Sequence, residues 1–237
     1  RGITAQGRRE LVDFRLAPGE RESAWDGFLQ SLYNRGLQGR NTALFIHDGS
    51  EGLENALDTV FGPSGRQRCI CHKLGNLWDA VADKEAHRSI RKEAATIYDV
   101  DTADQARERL GEFASKWRPL EPQAVAVLET DFEQTLTFLA VPRAHRRWVA
   151  TTNPIERLIR ELRRRLRPMG TFQNLRSCRL LVYVAIWKVS DARRNAIPYS
   201  LWTSQPWYGR GRRAQPRRRR WRLERLEGRF WKGFLVS

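Results

Sequence analysis

The sequence predicts an α/β fold interrupted by a large all-helical insertion. Three observations lead there. A short apolar run, Ala43-Leu44-Phe45-Ile46, ends in His47-Asp48-Gly49 and is followed by a helix-period stretch, the strand–turn–helix order of an α/β unit. Residues 66–140 carry three apolar stripes at helical spacing. Beyond Asn153 the helical pattern continues, now with a strongly basic face.

In chain order, Gly2 to Leu16 reads as a β-hairpin or a pair of short strands. Its turn at Ala5-Gln6-Gly7 separates Ile3 from Leu11, Val12 and Phe14. Pro18 and Gly19 break the chain. Ser23 to Arg35 is an amphipathic helix, with Trp25, Phe28, Leu29 and Leu32 on one stripe and Gly36 as its stop. Ala43 to Ile46 fits a buried strand. The next helix turns Leu53, Ala56, Leu57 and Val60 inward and ends at Gly62-Pro63-Ser64-Gly65.

The three stripes after residue 66 are Leu74, Leu77, Trp78 and Val81; then Ala103, Ala106, Leu110, Phe113 and Trp117; then Val125, Leu128, Phe132, Leu136 and Leu139. A structureless loop of this size does not occur inside a compact domain, so the stretch is predicted to be an inserted helical subdomain. Residues 154–167 form the clearest helix, with Asn153 as N-cap, Pro154 at the first position, and Ile155, Leu158, Ile159, Leu162 and Leu166 as its apolar stripe. Pro168 and Gly170 end it, and a last apolar helix runs from about Leu175 to Trp187. The expected organisation is therefore a core region at 1–65, a helical insertion at 66–145, C-terminal core helices at 146–190 carrying Glu156, and an Arg/Trp-rich tail at 191–237. The tail reads as a basic aromatic arm, a disordered segment or the read-through of a damaged frame.

Charge narrows the function classes. The chain has 43 Lys and Arg against 27 Asp and Glu, net +16. Residues 1–140 are net −4 and residues 141–237 net +20. An ordinary globular part is thus followed by one suited to a polyanion or an acidic membrane surface. No apolar run is long enough to span a membrane, and Leu180 to Trp187 reads as a core helix. Three cysteines are too few for a disulfide framework, and no signal peptide is present, so a cytoplasmic setting is expected. The chain opens at Arg1, as a fragment, a processed chain or a trimmed one would.

Four groups of residues can carry chemistry. Asp48 follows a strand, where sites in α/β folds gather, yet Asp-Gly is also a common turn pair. Glu156 begins a helix; a capping box with Asn153, or ion pairing with Arg160 and Arg163, explains it as well as catalysis does. Together, a strand-end Asp and a helix Glu suit two-metal phosphoryl transfer, in which Mg²⁺ keeps several waters and needs few carboxylates. Cys69-Ile70-Cys71-His72 resembles half a zinc site, but no second pair stands at zinc-finger spacing, so a structural role competes; Cys178 reads as core. Arg157, Arg160, Arg163, Arg164, Arg165 and Arg167 face only Glu156 and Glu161 as opposing charges, and form either a solvated face or a phosphate-binding one.

In this order, these residues resemble the Mutator-type transposases of bacterial insertion sequences. The resemblance rests on Gly36-Leu37, on Asp48-Gly49-Ser50-Glu51-Gly52-Leu53 and on Gln67-Arg68-Cys69-Ile70-Cys71-His72-Lys73. It continues through Thr151-Thr152-Asn153-Pro154-Ile155-Glu156-Arg157, Arg163-Arg164-Arg165, Phe172, Ser177 and Leu180-Leu181, and covers roughly residues 1 to 190. It implies a ribonuclease-H-like core, here partial, with a helical insertion before the last acid. It also implies an Asp-Asp-Glu triad holding Mg²⁺, with Asp48 as the second Asp and Glu156 as the Glu. Cys69 and His72 correspond to the family's Cys-x-x-His element. The implied chemistry is hydrolysis at transposon ends, then strand transfer by the freed 3′-hydroxyl. The implied partners are terminal inverted repeats, target DNA and further copies of the protein. The first catalytic Asp of the pattern lies upstream of Gly2-Ile3, and Asp13 does not replace it. The expectation is that the chain begins after that acid, lacks the DNA-end-binding region, departs from the family after about residue 195 and does not by itself cut DNA. A non-catalytic nucleic-acid-binding protein and a zinc-dependent module on Cys69, Cys71 and His72 are the competing readings.

Overall fold

The computed structural model describes residues 1–4, 9–17, 19, 21–62, 64–83, 85–191 and 234–235. The elements begin with β1 (Gly2–Ile3), β2 (Arg9–Glu10), β3 (Arg15–Leu16), α1 (Glu22–Asn34), β4 (Phe45–His47), α2 (Glu51–Phe61) and β5 (Arg66–Arg68). Helices follow: α3 (Ile70–Ala80), α4 (His87–Thr96), α5 (Ala103–Trp117), α6 (Pro122–Glu129), α7 (Phe132–Thr135), α8 (Arg143–Val149), α9 (Asn153–Leu166) and α10 (Leu175–Asp191), then β6 (Phe234–Leu235). The described residues are mixed α/β, mostly helical, with a small parallel sheet. None of the described helices is long and apolar enough to cross a membrane. Two compact units result: residues 21–157, and residues 1–20 together with 158–236.

In the unit of residues 21–157, α1 buries Trp25, Phe28, Leu29 and Leu32, the stripe its periodicity predicts. Gly36, at φ +105°, ends it: Gly36 N–H reaches the Tyr33 carbonyl and Leu37 N–H the Leu32 carbonyl, a Schellman closure that needs a left-handed residue. Helix α2 buries Leu53, Ala56, Leu57 and Phe61, with Phe61 taking the place predicted for Val60 because its ring stacks on Phe45 at 4.6 Å.

Strands β4 and β5 run parallel in the register Phe45↔Arg66, Ile46↔Gln67 and His47↔Arg68. This corrects two expectations. Residues 66–68 are a strand, so the all-helical stretch starts only at Ile70. The three-residue run Arg-Gln-Arg has no apolar signature; its pairing with β4 makes it a strand. The β4 strand is not wholly buried either: Phe45 and Ile46 are half-buried and His47 is enclosed. The buried Gln67 amide explains the polar strand. Its carbonyl accepts the Phe138 N–H at 2.6 Å and its amide donates to the Thr135 carbonyl at 2.9 Å, tying the helical segment to the sheet.

The helical segment buries Leu77, Ile90, Ile97, Phe113, Val125 and Leu128 completely. Its third predicted stripe is divided among α6, α7 and a 3₁₀ turn at Thr137–Ala140, with Asp131 at φ +53° making the break. Buried Glu121 accepts the N–H groups of Ala82 and Asp83, both at 2.9 Å, and so satisfies the loop before α4.

In the other unit, β1 and β2 pair antiparallel, as the hairpin reading expects, and its turn lies outside the described residues. β3 pairs antiparallel with β6. Leu16, Leu158, Leu162, Leu166, Val182, Ala185, Ile186 and Val189 form the core. Each buried leucine contributes about 1.5–3 kcal/mol. Asn174 caps α10 by accepting the Ser177 N–H at 2.9 Å. The expectation of a core helix at Leu180 to Trp187 is corrected: among the described residues, α10 leaves Leu180, Leu181, Tyr183, Val184 and Trp187 exposed on its other side. Apart from Asp191 and the strand at Phe234–Leu235, the predicted tail lies outside the described residues.

Candidate active site

Parallel pairing brings two chain positions to one sheet edge. The Cys69 N–H donates to the His47 carbonyl at 2.8 Å, so Asp48 and Cys69 leave adjacent strands at their carboxyl ends. Asp48 is exposed, and its carboxylate accepts the Ser50 N–H at 3.1 Å, so the turn reading and the sheet-edge reading of Asp-Gly both hold. Gly49 has φ +85°, and a Cβ there would fall inside the Arg68 guanidinium. Glycine at this position lets a buried arginine lie against the backbone behind Asp48.

Beneath the same edge, His47 is 2% exposed and its Nδ1 lies 3.2 Å from Glu54 Oε1. Burial, then the Arg68 charge, lowers the His47 pKa to about 4, while burial raises that of Glu54. The imidazole is therefore neutral near pH 7.

Glu156 comes to this region through residues far away in sequence. Helix α9 starts at Asn153, and the Thr152 carbonyl accepts the first helical N–H groups, from Ile155 at 2.8 Å and Glu156 at 3.2 Å. The cap position is thus Thr152, one residue before the predicted Asn153. Asn153 instead donates its side-chain amide to Cys71 Sγ at 3.4 Å. The expected capping box is replaced by a tertiary network. Thr152 Oγ1 donates to Glu156 Oε1 at 2.9 Å and lies 3.2 Å from His72 Nδ1, and the Thr152 N–H donates to Cys69 Sγ at 3.2 Å. A hydroxyl has one proton and two lone pairs, so with the proton on Glu156 it accepts from the imidazole. His72 Nδ1 is 3.7 Å from Glu156 Oε1.

The network shifts the thiols in opposite directions. Hydrogen bonds from Cys71, then His72 and Thr152, hold the Cys69 pKa well below the ordinary thiol range, against its burial. The same bond to Cys69, then burial, raises that of Cys71. The Cys69 bond, then the charges of Cys69, Glu156 and Asp48, raises His72 against its partial burial. Thr152 is the residue that sequence reasoning missed. It stands inside the Thr-Asn-x-x-Glu element, but its partners are 80 and 83 positions away, so only the folded chain assigns it a role.

Helix α9 buries Leu158, Leu162 and Leu166 and exposes Arg157, Arg160, Arg163, Arg164 and Arg165, and Arg167 is exposed in the 3₁₀ turn that follows it. Glu161 binds Arg164 at 2.8 Å and Arg165 at 3.0 Å, neutralising part of the run. Among the described residues, Arg157, Arg160 and Arg163 make no ion pair, so the predicted pairing of Glu156 with Arg160 or Arg163 gives way to Thr152 and His72.

The family model "Transposase, Mutator family" matches residues 1–195. The chain belongs to the Mutator family of transposases. It is 36% identical over 181 residues to the transposase for insertion sequence element ISRM5 of Rhizobium meliloti, covering 76% of this chain and 45% of that protein. It is 33% identical over 190 residues to the transposase for IS406 of Burkholderia multivorans, covering 80% and 48%. It is also 33% identical over 194 residues to the transposase for IS256 in transposon Tn4001 of Staphylococcus aureus, covering 80% and 48%. This Mutator-family chain therefore spans about half the length of these relatives.

Proposed function

We propose that the chain is the catalytic part of an insertion-sequence transposase, cleaving DNA at terminal inverted repeats and joining the freed 3′-ends to target DNA, with Asp48 and Glu156 as two of its three metal-binding acids. One observation carries the reading. Two carboxylates 108 positions apart are linked through one sheet edge, Asp48 beside Cys69 and Cys69 bonded to Thr152, which holds Glu156. We read the small parallel sheet as part of a ribonuclease-H-like core.

Both carboxylates offer oxygen to the exterior, Asp48 exposed and the Glu156 side chain 38% exposed, which fits Mg²⁺ by donor type; the neighbouring thiol and imidazole do not. A bound Mg²⁺ pair supplies activation of the attacking hydroxyl and stabilisation of the leaving oxygen. The chain's own residues do the positioning. Thr152 and His72 orient the Glu156 carboxylate, and Arg157, Arg160 and Arg163 offer exposed charge to backbone phosphates. Multimers pairing two DNA ends complete the reading.

The test is a calorimetric titration of the purified chain with Mg²⁺. Asp48→Asn and Glu156→Gln should each weaken binding by about one to two orders of magnitude. Affinity indifferent to both substitutions sinks the reading. A second reading, non-catalytic nucleic-acid binding, is favoured by the exposed arginine face alone. It predicts no Mg²⁺ site, with DNA binding untouched by Glu156→Gln.

A further inference from the structure

The proposed function uses Glu156 through its oxygens and leaves unexplained why a buried thiol and an imidazole stand against it. Ligand atoms of Cys69, His72 and Glu156 all lie within 4.8 Å of one another. His72 Nδ1 and Glu156 Oε1 are 3.7 Å apart. Metal–ligand bonds of about 2.0–2.3 Å in a tetrahedron put ligand atoms roughly 3.3–3.8 Å apart, so small side-chain adjustments close the set around one ion.

We propose that Cys69 Sγ, an imidazole nitrogen of His72 and a carboxylate oxygen of Glu156 form a three-ligand site for a thiophilic divalent cation of the zinc class. The donor set selects the ion: sulfur and imidazole suit zinc, whereas Mg²⁺ takes oxygen. The set is also supported from outside, since Thr152 bonds two of the ligands, Cys69 through its N–H and Glu156 through its hydroxyl. Cys69 is enclosed while the His72 and Glu156 side chains are 40% and 38% exposed. The ion enters from their side, and the fourth position faces solvent, the arrangement of an open zinc site. Glu156 supplies what the Cys-x-Cys-His run lacks by itself. One consequence rests on the proposed function: zinc at this site occupies Glu156, so zinc and Mg²⁺ exclude each other there and zinc inhibits the transposase.

The experiment is a titration of the metal-free chain with Co²⁺, a spectroscopic stand-in for zinc. About one ion per chain should bind with thiolate-to-cobalt charge-transfer absorption, displaced by Zn²⁺ and not by equimolar Mg²⁺. Cys69→Ser should abolish the band. His72→Gln and Glu156→Gln, at half-exposed side chains that folding tolerates, should weaken binding about tenfold or more. A folded chain without the band, a band that survives Cys69→Ser, or affinity unchanged in both His72→Gln and Glu156→Gln overturns the proposal. Asp48→Asn separates the two readings. It should leave cobalt binding intact, and if Mg²⁺ affinity ignores Asp48 while cobalt follows Cys69, His72 and Glu156, the catalytic reading falls and the zinc-class site stands.

Discussion

Asp48 is held by its neighbours in sequence: Ser50 bonds its carboxylate, Gly49 makes the turn, and a parallel strand end aims it outward. Glu156 is held by residues more than 80 positions away as well as by its own helix start, with Thr152 joining it to Cys69 and His72. The difference teaches that the two halves of the proposed site are built by different means. The Asp48 half is a turn over buried charge, sensitive to protonation beneath it. The Glu156 half is a hydrogen-bonded cluster, sensitive to loss of a single hydroxyl.

The largest expected effect lies under Asp48. His47 has its pKa lowered from 6.5 to about 4, so the unfolded chain takes up a proton on acidification before the folded one does. Its contribution is fully present above pH 6.5 and is lost as pH falls to about 4, a drop of about 3 kcal/mol. Denaturant melts at several pH values should show a drop in this window that shrinks in His47→Gln. Glu54, raised by burial, acts with the opposite sign and is common to both chains. An identical pH profile in the two chains would erase the contrast drawn here.

Next comes the hydroxyl of Thr152. Thr152→Ala should weaken Mg²⁺ affinity by about 10- to 100-fold, and Thr152→Ser should restore it, because only the O–H reaches Glu156. Equal affinity in all three chains would mean that the cluster does not position the carboxylate.

The smallest effect concerns the far side of α9. Replacing Arg160 by Gln should leave stability within about 0.5 kcal/mol and lower the log–log salt slope of DNA binding by about one. Arg164→Gln should change that slope less, since Glu161 already binds it at 2.8 Å. Equal slopes for the two variants would show that the intrahelix pair opens on DNA.

Helices α9 and α10 show how much could be read beforehand. In α9 the leucines and arginines segregate at helical period, so its buried side and its basic side were both readable from the residues. Along α10 apolar residues run all round, and periodicity could not say that Val182, Ala185, Ile186 and Val189 face the core while Leu180 and Trp187 do not. Strand β5 failed for the opposite reason: Arg66-Gln67-Arg68 has no apolar residue, and its strand state comes from pairing with β4 and from the Gln67 amide bonds.

By itself the sequence determined the amphipathic helices, the Asp-Gly turn, the basic face of α9 and the family to which the chain belongs. These depend on residues close together in the chain, or on their order along it. Only the tertiary structure decided that Cys69, His72, Thr152 and Glu156 meet, and that His47 and Arg68 are buried beneath Asp48. Hydrogen bonds and desolvation act over a few ångströms of space, and no spacing in the chain encodes a contact across 80 residues.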